Sequence, residues 1–258
     1  MHLRDMFNLT GRVAVVTGGS RGLGWQLAQA LGELGARLAL VARKQAELEQ
    51  ARAQLGSEGI EATIHAADLA DTAIIPHLVD RMMQELGRVD VLVNNAGTSW
   101  GAPAETHPLE AWQRVMQLNL TAMFVLTQEI ANAWMIPRRS GKIINVASIT
   151  GLAGTAPDVL RAVAYNTSKG GMVSFTRSLA AEWGQYNINV NAIAPGFFPT
   201  RMSKAVIHHA HRALLQSTPL GRLGEGDDLK GAVALLASEA GRYITGQVIA
   251  VDGGMSAV

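Results

Sequence analysis

Tyr165 and Lys169 stand four residues apart in the run Ala164-Tyr-Asn-Thr-Ser-Lys-Gly-Gly171. On a helix that spacing puts the two side chains on one face, one turn apart, so the ammonium can approach the phenol. A phenol so placed could give or take a proton on an oxygen while a hydride reaches or leaves the attached carbon, provided it ionises near neutral pH. Its reference pKa of about 10 must then fall by about 3 units. That shift needs about 4 kcal/mol of selective stabilisation of the phenolate, which a nearby cation can supply. Taken alone, such a pair is more often a packed ring beside a solvated charge, so it needs partners.

A second candidate is Thr17-Gly18-Gly19-Ser20-Arg21-Gly22-Leu23-Gly24, which follows an apolar run and opens a helical one. Backbone N–H groups and the positive end of the helix dipole face that turn, a place that suits a pyrophosphate. The spacing is G-x-x-x-G-x-G, and the demand for residues without Cβ near phosphate and sheet is the same as in other glycine-rich nucleotide turns. The glycines could also be purely structural. Gly18-x-Ser20-x-Gly22 further matches the nucleophile elbow of serine hydrolases. That elbow needs an acid and then a histidine later in the chain, and the last histidine here, His211, follows no strand.

The elements that must position these groups are legible as short Val/Ile/Ala/Leu runs alternating with segments of helical period. Such alternation predicts an α/β fold, a Rossmann-type doubly wound parallel sheet with helices on both faces. Seven strands are expected at Arg12–Thr17, Arg37–Ala42, Ala62–Ala66, Val89–Asn94, Lys142–Ala147, Asn187–Ala194 and Gln247–Val251. Helices are expected near Gly22–Leu34, Lys44–Leu55, Ile74–Leu86, Leu109–Ile136, Ala164–Gln185 and Asp227–Ser238. No repeat or linker divides the chain, so residues 1–258 read as one domain. Phe197 to Leu223 is the one long irregular stretch, directly after a strand end, and is expected to act as a substrate lid.

Four further groups stand in the order and context of the short-chain dehydrogenase/reductase family: Asn94-Asn95-Ala96-Gly97, Ser148, Tyr165-x-x-x-Lys169 and Pro195-Gly196. With the glycine turn they make the chain resemble that family from Gly11 to Gly254. The resemblance implies a hydride transfer between a nicotinamide and an alcohol/carbonyl pair. It implies Tyr165 as the proton donor/acceptor and Lys169 as a cation that also binds the nicotinamide ribose. Ser148 is implied to bond the substrate oxygen, and Asn119 to hold a water linking the lysine to solvent. Gly18, Ser20, Arg21, Gly22, Leu23, Gly24, Asn95, Ala96, Gly97, Pro195, Gly196 and Phe198 are implied in cofactor binding. So are Asp68-Leu69 at the adenine and Thr200 at the carboxamide or phosphate.

The end of the second strand decides which nicotinamide is taken. It reads Val41-Ala42-Arg43-Lys44, with no carboxylate at the tip, so Arg43 and Arg21 are placed to pair with a 2′-phosphate and NADP(H) is expected over NAD(H). The bland alternative is that Arg43 and Lys44 merely decorate a helix start, where cations are mildly unfavourable.

The chain has 258 residues, 48% hydrophobic and 17% charged, with a formal net charge of +1 and no cysteine. These values fit a globular enzyme without disulfides or thiolate metal sites, and the scattered cations leave no stripe for nucleic acid. Neither a secretion signal nor an 18-residue apolar span is legible, so a cytoplasmic protein with no membrane partner is expected. His208-His209-x-His211 lacks a carboxylate or cysteine partner, and no metal is expected. Trp100, Phe197, Phe198 and Met202 suggest an apolar mouth, and Arg161 or Arg201 could meet an anionic head group. Ser148 to Tyr165 spans 17 positions, about four more than the family's usual spacing, so the loop between them reshapes the wall beside the tyrosine. The chain resembles 3-oxoacyl-carrier-protein reductases and, about as well, gluconate 5-dehydrogenase-like sugar-acid enzymes. A small-molecule ketone, free or thioester-linked, is the expected substrate. A fold retained as a non-catalytic cofactor-binding module is the alternative of another class. Surplus apolar residues on the two longest helices (Met116, Phe124, Trp134, Phe175, Trp183) predict a homotetramer.

Overall fold

The computed structural model describes residues 2–258. After one helical turn, α1 (Leu3–Met6), strands and helices alternate. The strands β1 (Val13–Thr17), β2 (Arg37–Ala42), β3 (Ala62–Ala66), β4 (Val91–Asn94), β5 (Gly141–Val146), β6 (Ile188–Pro195) and β7 (Val248–Val251) form one sheet. Its order is β3-β2-β1-β4-β5-β6-β7, with every neighbouring pair parallel. The expected doubly wound parallel sheet is therefore present, with strand ends shifted by one or two residues.

Both faces of the sheet are covered, which is why its strands are continuous apolar runs rather than alternating ones. Ala14, Val16, Leu38, Leu40, Val91 and Val93 point to one layer. There they meet Leu27 and Leu31 of α2 (Gly22–Glu33), Leu48 and Leu55 of α3 (Gln45–Ser57), and Val233 and Leu236 of α10 (Lys230–Ala237). Val13, Val15, Ala39, Val41, Leu92 and Ile143 point the other way. Their partners are Leu78 and Met82 of α4 (Ile75–Leu86), Leu126 and Ile130 of α6 (Met123–Ile130), and Leu179 of α8 (Val163–Trp183).

Two expectations are corrected. The single helix over 109–136 is instead a continuous rod of five segments: α5 (Leu109–Met116), π-helical Gln117–Ala122, α6, π-helical Ala131–Met135 and α7 (Ile136–Arg138). Each π segment widens the helix, and such widening re-aims buried side chains. The irregular stretch 197–223 contains a 14-residue helix, α9 (Lys204–Ser217), kinked at Ala210. Ala210 and Leu214 anchor it on one side, while His208, His209 and His211 lie exposed on the other.

Candidate active site

β1 lies between β2 and β4, so the connections leaving β1 and β4 diverge and open a crevice at the C-terminal edge of the sheet. Ligands bind at such a switch point in open α/β sheets. The glycine turn fills one side of it. Gly18 and Gly22 have φ of +64° and +57°, a region open to glycine. A Cβ on Gly24 would lie 2.3 Å from the Gly18 carbonyl oxygen and 2.4 Å from Asn95 Nδ2, so only glycine lets α2 start this close to β1 and β4. Thr17, which the sequence reading did not single out, clamps the two strands. Its Oγ1 accepts from the N–H groups of Asn95 and Ala96, both at 2.9 Å, and Asn95 Nδ2 donates back to the Thr17 carbonyl at 2.9 Å. Ser20 and Gly22 are partly buried in this turn, Arg21 is exposed, and Leu23 packs on the core beneath.

Ser148 follows β5, and its hydroxyl accepts from the Thr150 N–H at 3.2 Å and the Thr150 hydroxyl at 3.0 Å. The short turn Ile149–Gly151 packs directly on α8, because a Cβ on Gly151 would lie 2.5 Å from the Lys169 carbonyl carbon. That contact holds Ser148 beside Tyr165 and Lys169. Burial raises the Tyr165 phenol above its ordinary value, and a hydrogen bond with Ser148 opposes the rise. Lys169 is buried, its ammonium donates to the Val146 carbonyl at 2.5 Å, and it lies 5.6 Å from the centre of the Tyr165 ring. Desolvation brings Lys169 down to about 8. The ammonium is turned to a backbone carbonyl under the ring, and desolvation of the phenol prevails.

Asn119 is fully buried in the first π segment. Its Oδ1 accepts from the Thr98 N–H at 2.8 Å, and its Nδ2 donates to the Thr98 carbonyl at 3.0 Å and to Ser168 Oγ at 2.9 Å. Ser168 in turn donates to the Tyr165 carbonyl at 2.7 Å. One amide therefore ties the loop after β4 to the second turn of α8. Gly97 abuts it, since a Cβ there would lie 3.2 Å from Asn119 Oδ1.

At the outer end of the crevice, Arg43 and Lys44 follow β2 and are exposed. Arg21 Nη1 bonds Glu47 Oε2 at 2.7 Å, and Lys44 Nζ bonds Glu47 Oε1 at 3.1 Å. Glu47 was missed by the sequence reading; its only sequence signal is the i, i+3 spacing from Lys44. Asp68 is exposed after β3 and accepts from the Ala70 N–H at 3.1 Å, while Leu69 is buried. Pro195 ends β6, and the Gly196 N–H bonds the Val251 carbonyl at 3.0 Å. Thr200 folds back so that its methyl lies 3.7 Å from where a Gly22 Cβ would stand. Ser203 fixes this fold through Thr200 N–H at 2.9 Å and the Phe198 carbonyl. Phe198 itself does not line a mouth, which corrects that expectation. Its ring is buried in the space left by Gly224. Trp100, Leu152, Val163, Met202 and Leu220 are among the large apolar side chains exposed on the bordering segments. The loop before α8 is tied to the loop after β4 by a bridge between Ala102 and Ala162, and to α8 by Asn166 Nδ2 on Thr155 Oγ1 at 3.1 Å.

No cluster of three or more His, Cys, Asp or Glu able to hold a metal, and no helix long and apolar enough to cross a membrane, occurs among the described residues.

Residues 12–211 match the family model described as short chain dehydrogenase. The chain is 39% identical, over 98% of its length and 99% of the relative's, to the rhamnolipids biosynthesis 3-oxoacyl-[acyl-carrier-protein] reductase of Pseudomonas aeruginosa. It is 35% identical, over 98% and 97%, to the gluconate 5-dehydrogenase of Gluconobacter oxydans. The crystal structure of a gluconate 5-dehydrogenase from Burkholderia cenocepacia in complex with NADP and tartrate superposes with a TM-score of 0.94 at 34% identity, covering all of both chains. By sequence, by sheet order and by the residues gathered at the sheet's C-terminal edge, this chain belongs to the short-chain dehydrogenase/reductase family.

Proposed function

We propose that the protein is an NADP(H)-dependent reductase of ketones, acting on a 3-oxoacyl or similarly apolar carbonyl compound. The observation that carries this reading is the seating of the turn after Ser148 on α8 at Lys169, with the Lys169 ammonium 5.6 Å from the centre of the Tyr165 ring, beside a glycine cradle into which no Cβ would fit at Gly18 or Gly24.

The cradle suits a dinucleotide. Gly18, Ser20, Arg21, Gly22, Leu23 and Gly24 would hold the pyrophosphate and its riboses, Asp68 and Leu69 the adenine, and Asn95, Ala96 and Gly97 the middle of the molecule. Pro195, Gly196, Phe198 through its backbone, and Thr200 would hold the carboxamide end, while Arg43 would meet the 2′-phosphate. Once bound, the nicotinamide supplies or receives the hydride. Ser148 donates a hydrogen bond to the substrate oxygen as charge grows there. Tyr165 gives its phenolic proton to that oxygen in reduction and takes it back in oxidation. Lys169 steadies the phenolate and binds the ribose, and Asn119 positions α8 and anchors the route by which the proton is replaced.

Apolar Trp100, Leu152, Val163 and Met202 on the segments around this edge favour an acyl or other apolar ketone over a polyhydroxy acid. Residues 197–223 form the lid, with Thr200 already resting on the glycine turn. The enzyme works in the cytoplasm as a homotetramer. Exposed Phe124, edge-on against Phe175 at 6.3 Å, supports pairing through this helical face. Oxidation of NADPH and of NADH against 3-oxoacyl thioesters, simple ketones and 5-ketogluconate tests the reading. Turnover of a thioester or simple ketone with NADPH supports it, and turnover of 5-ketogluconate alone replaces it with a sugar-acid dehydrogenase.

A further inference from the structure

Glu47 is paired with two of the cations that border the outer end of the crevice. Both carboxylate oxygens are engaged, one by Arg21 at 2.7 Å and the other by Lys44 at 3.1 Å. Arg21 belongs to the glycine turn and Lys44 to the end of β2, so the carboxylate bridges the two segments that border the outer end of the crevice. A third cation, Arg201 on the segment after β6, adds its field. The bond from Lys44, opposed by desolvation and joined by the charges of Arg21, Lys44 and Arg201, holds the Glu47 carboxyl below its ordinary range. It is therefore an anion throughout the neutral range. Neighbouring Arg43 makes no side-chain hydrogen bond or ion pair among the described residues.

Resting on the NADP(H) reading above, we propose that Glu47 is an internal counter-anion of the 2′-phosphate pocket and sets how strongly NADPH is preferred over NADH. A 2′-phosphate arriving at Arg21 must share or displace the Glu47 carboxylate, and the two anions repel at short range, so part of the attraction offered by Arg21, Arg43 and Lys44 is cancelled. A 2′-hydroxyl meets no such repulsion and finds in Glu47 an acceptor of the kind that recognises it in NAD sites. The pocket thus carries the cations of an NADP site and the acid of an NAD site on adjacent elements, and Glu47 narrows the gap between the two cofactors. A role in orienting Arg21 to receive phosphate has the opposite sign, because removing the acid would then weaken NADPH.

The dissociation constants of NADPH and NADH for full-length wild type, Glu47→Gln and Arg43→Ala, measured by titration calorimetry, decide the matter. Glu47→Gln removes an exposed ion pair and leaves the fold intact. It is expected to tighten NADPH by about three- to tenfold and to weaken NADH by about twofold. Unchanged or weaker NADPH binding in Glu47→Gln overturns the inference. Arg43→Ala separates the two levels: if it weakens NADPH the NADP(H) reading stands whatever Glu47 does, and if NADPH is unaffected by Arg43→Ala that reading falls with the inference.

Discussion

The Lys169 ammonium lies under the Tyr165 ring, 5.6 Å from its centre, and donates to the Val146 carbonyl rather than to the phenol. Two desolvated groups, Lys169 buried and Tyr165 partly buried, are therefore each held toward their neutral forms. Tyr165 is raised by desolvation, against the Ser148 hydrogen bond, and Lys169 is lowered by desolvation to about 8. At neutral pH Tyr165 keeps its proton, the form that a carbonyl reduction consumes.

That state of Tyr165 can be titrated. In the protein without cofactor, the tyrosinate absorbance of wild type minus that of Tyr165→Phe should show a midpoint above the ordinary 10.0. Binding of NADP⁺, whose nicotinamide carries positive charge, should move the midpoint down. A midpoint below 10.0 without cofactor would contradict the account of Tyr165 as a phenol governed by desolvation.

Lys169 makes stability depend on pH. Its native pKa of about 8 lies below the unfolded value of 10.5, so between those pH values the unfolded chain binds more protons and stability rises with pH. The burial cost is fully present below about 8 and is gone above the unfolded value. Across the window the gain is about 3 kcal/mol. Urea unfolding of cofactor-free wild type compared with Lys169→Met should show this rise in wild type alone, and parallel profiles would refute it.

Asn119→Ala removes an amide that makes three hydrogen bonds in a fully buried place. Leaving the Thr98 backbone groups unpaired should cost about 1–3 kcal/mol of stability. Because α8 loses its tie to the loop after β4, kcat should fall while cofactor affinity changes little. Unfolding and steady-state measurements on the same preparation check both effects, and a loss confined to cofactor affinity would assign Asn119 a different part.

Glycines divide by what surrounds them. Gly24→Ala should abolish tight cofactor binding and destabilise the fold, because the new methyl meets the Gly18 carbonyl oxygen, a backbone atom, at 2.3 Å. Gly56→Ala in α3 has nothing within 4 Å and should stabilise by about 0.5–1 kcal/mol. Thermal melts of the two variants check the contrast.

What the sequence made legible was what local pattern encodes. Val13–Thr17 reads as a strand because both of its faces are buried, and the glycine turn reads as a phosphate site because a strand precedes it and a helix follows. The π-helical turn around Asn119 was not legible, since Gln117–Ala122 has the composition of ordinary helix and only its tertiary bonds select the wider form. Phe198 looked like a mouth residue because the space that receives its ring is left by Gly224, far along the chain. Glu47 escaped notice for the same reason: its bond to Arg21 spans 26 residues. In 197–223, Pro199 and the run of histidines masked the weak apolar stripe of α9, whose anchor is only Ala210 and Leu214.

The central claim is that Tyr165 moves the proton in a carbonyl reduction, and Tyr165→Phe tests it most directly. With NADPH and the best ketone of the panel, turnover should fall by about 10²–10⁴-fold, the range for loss of a positioned general acid. NADPH affinity, measured on the same protein by calorimetry, should stay near that of wild type. Turnover close to wild type, with affinity unchanged, would contradict the account.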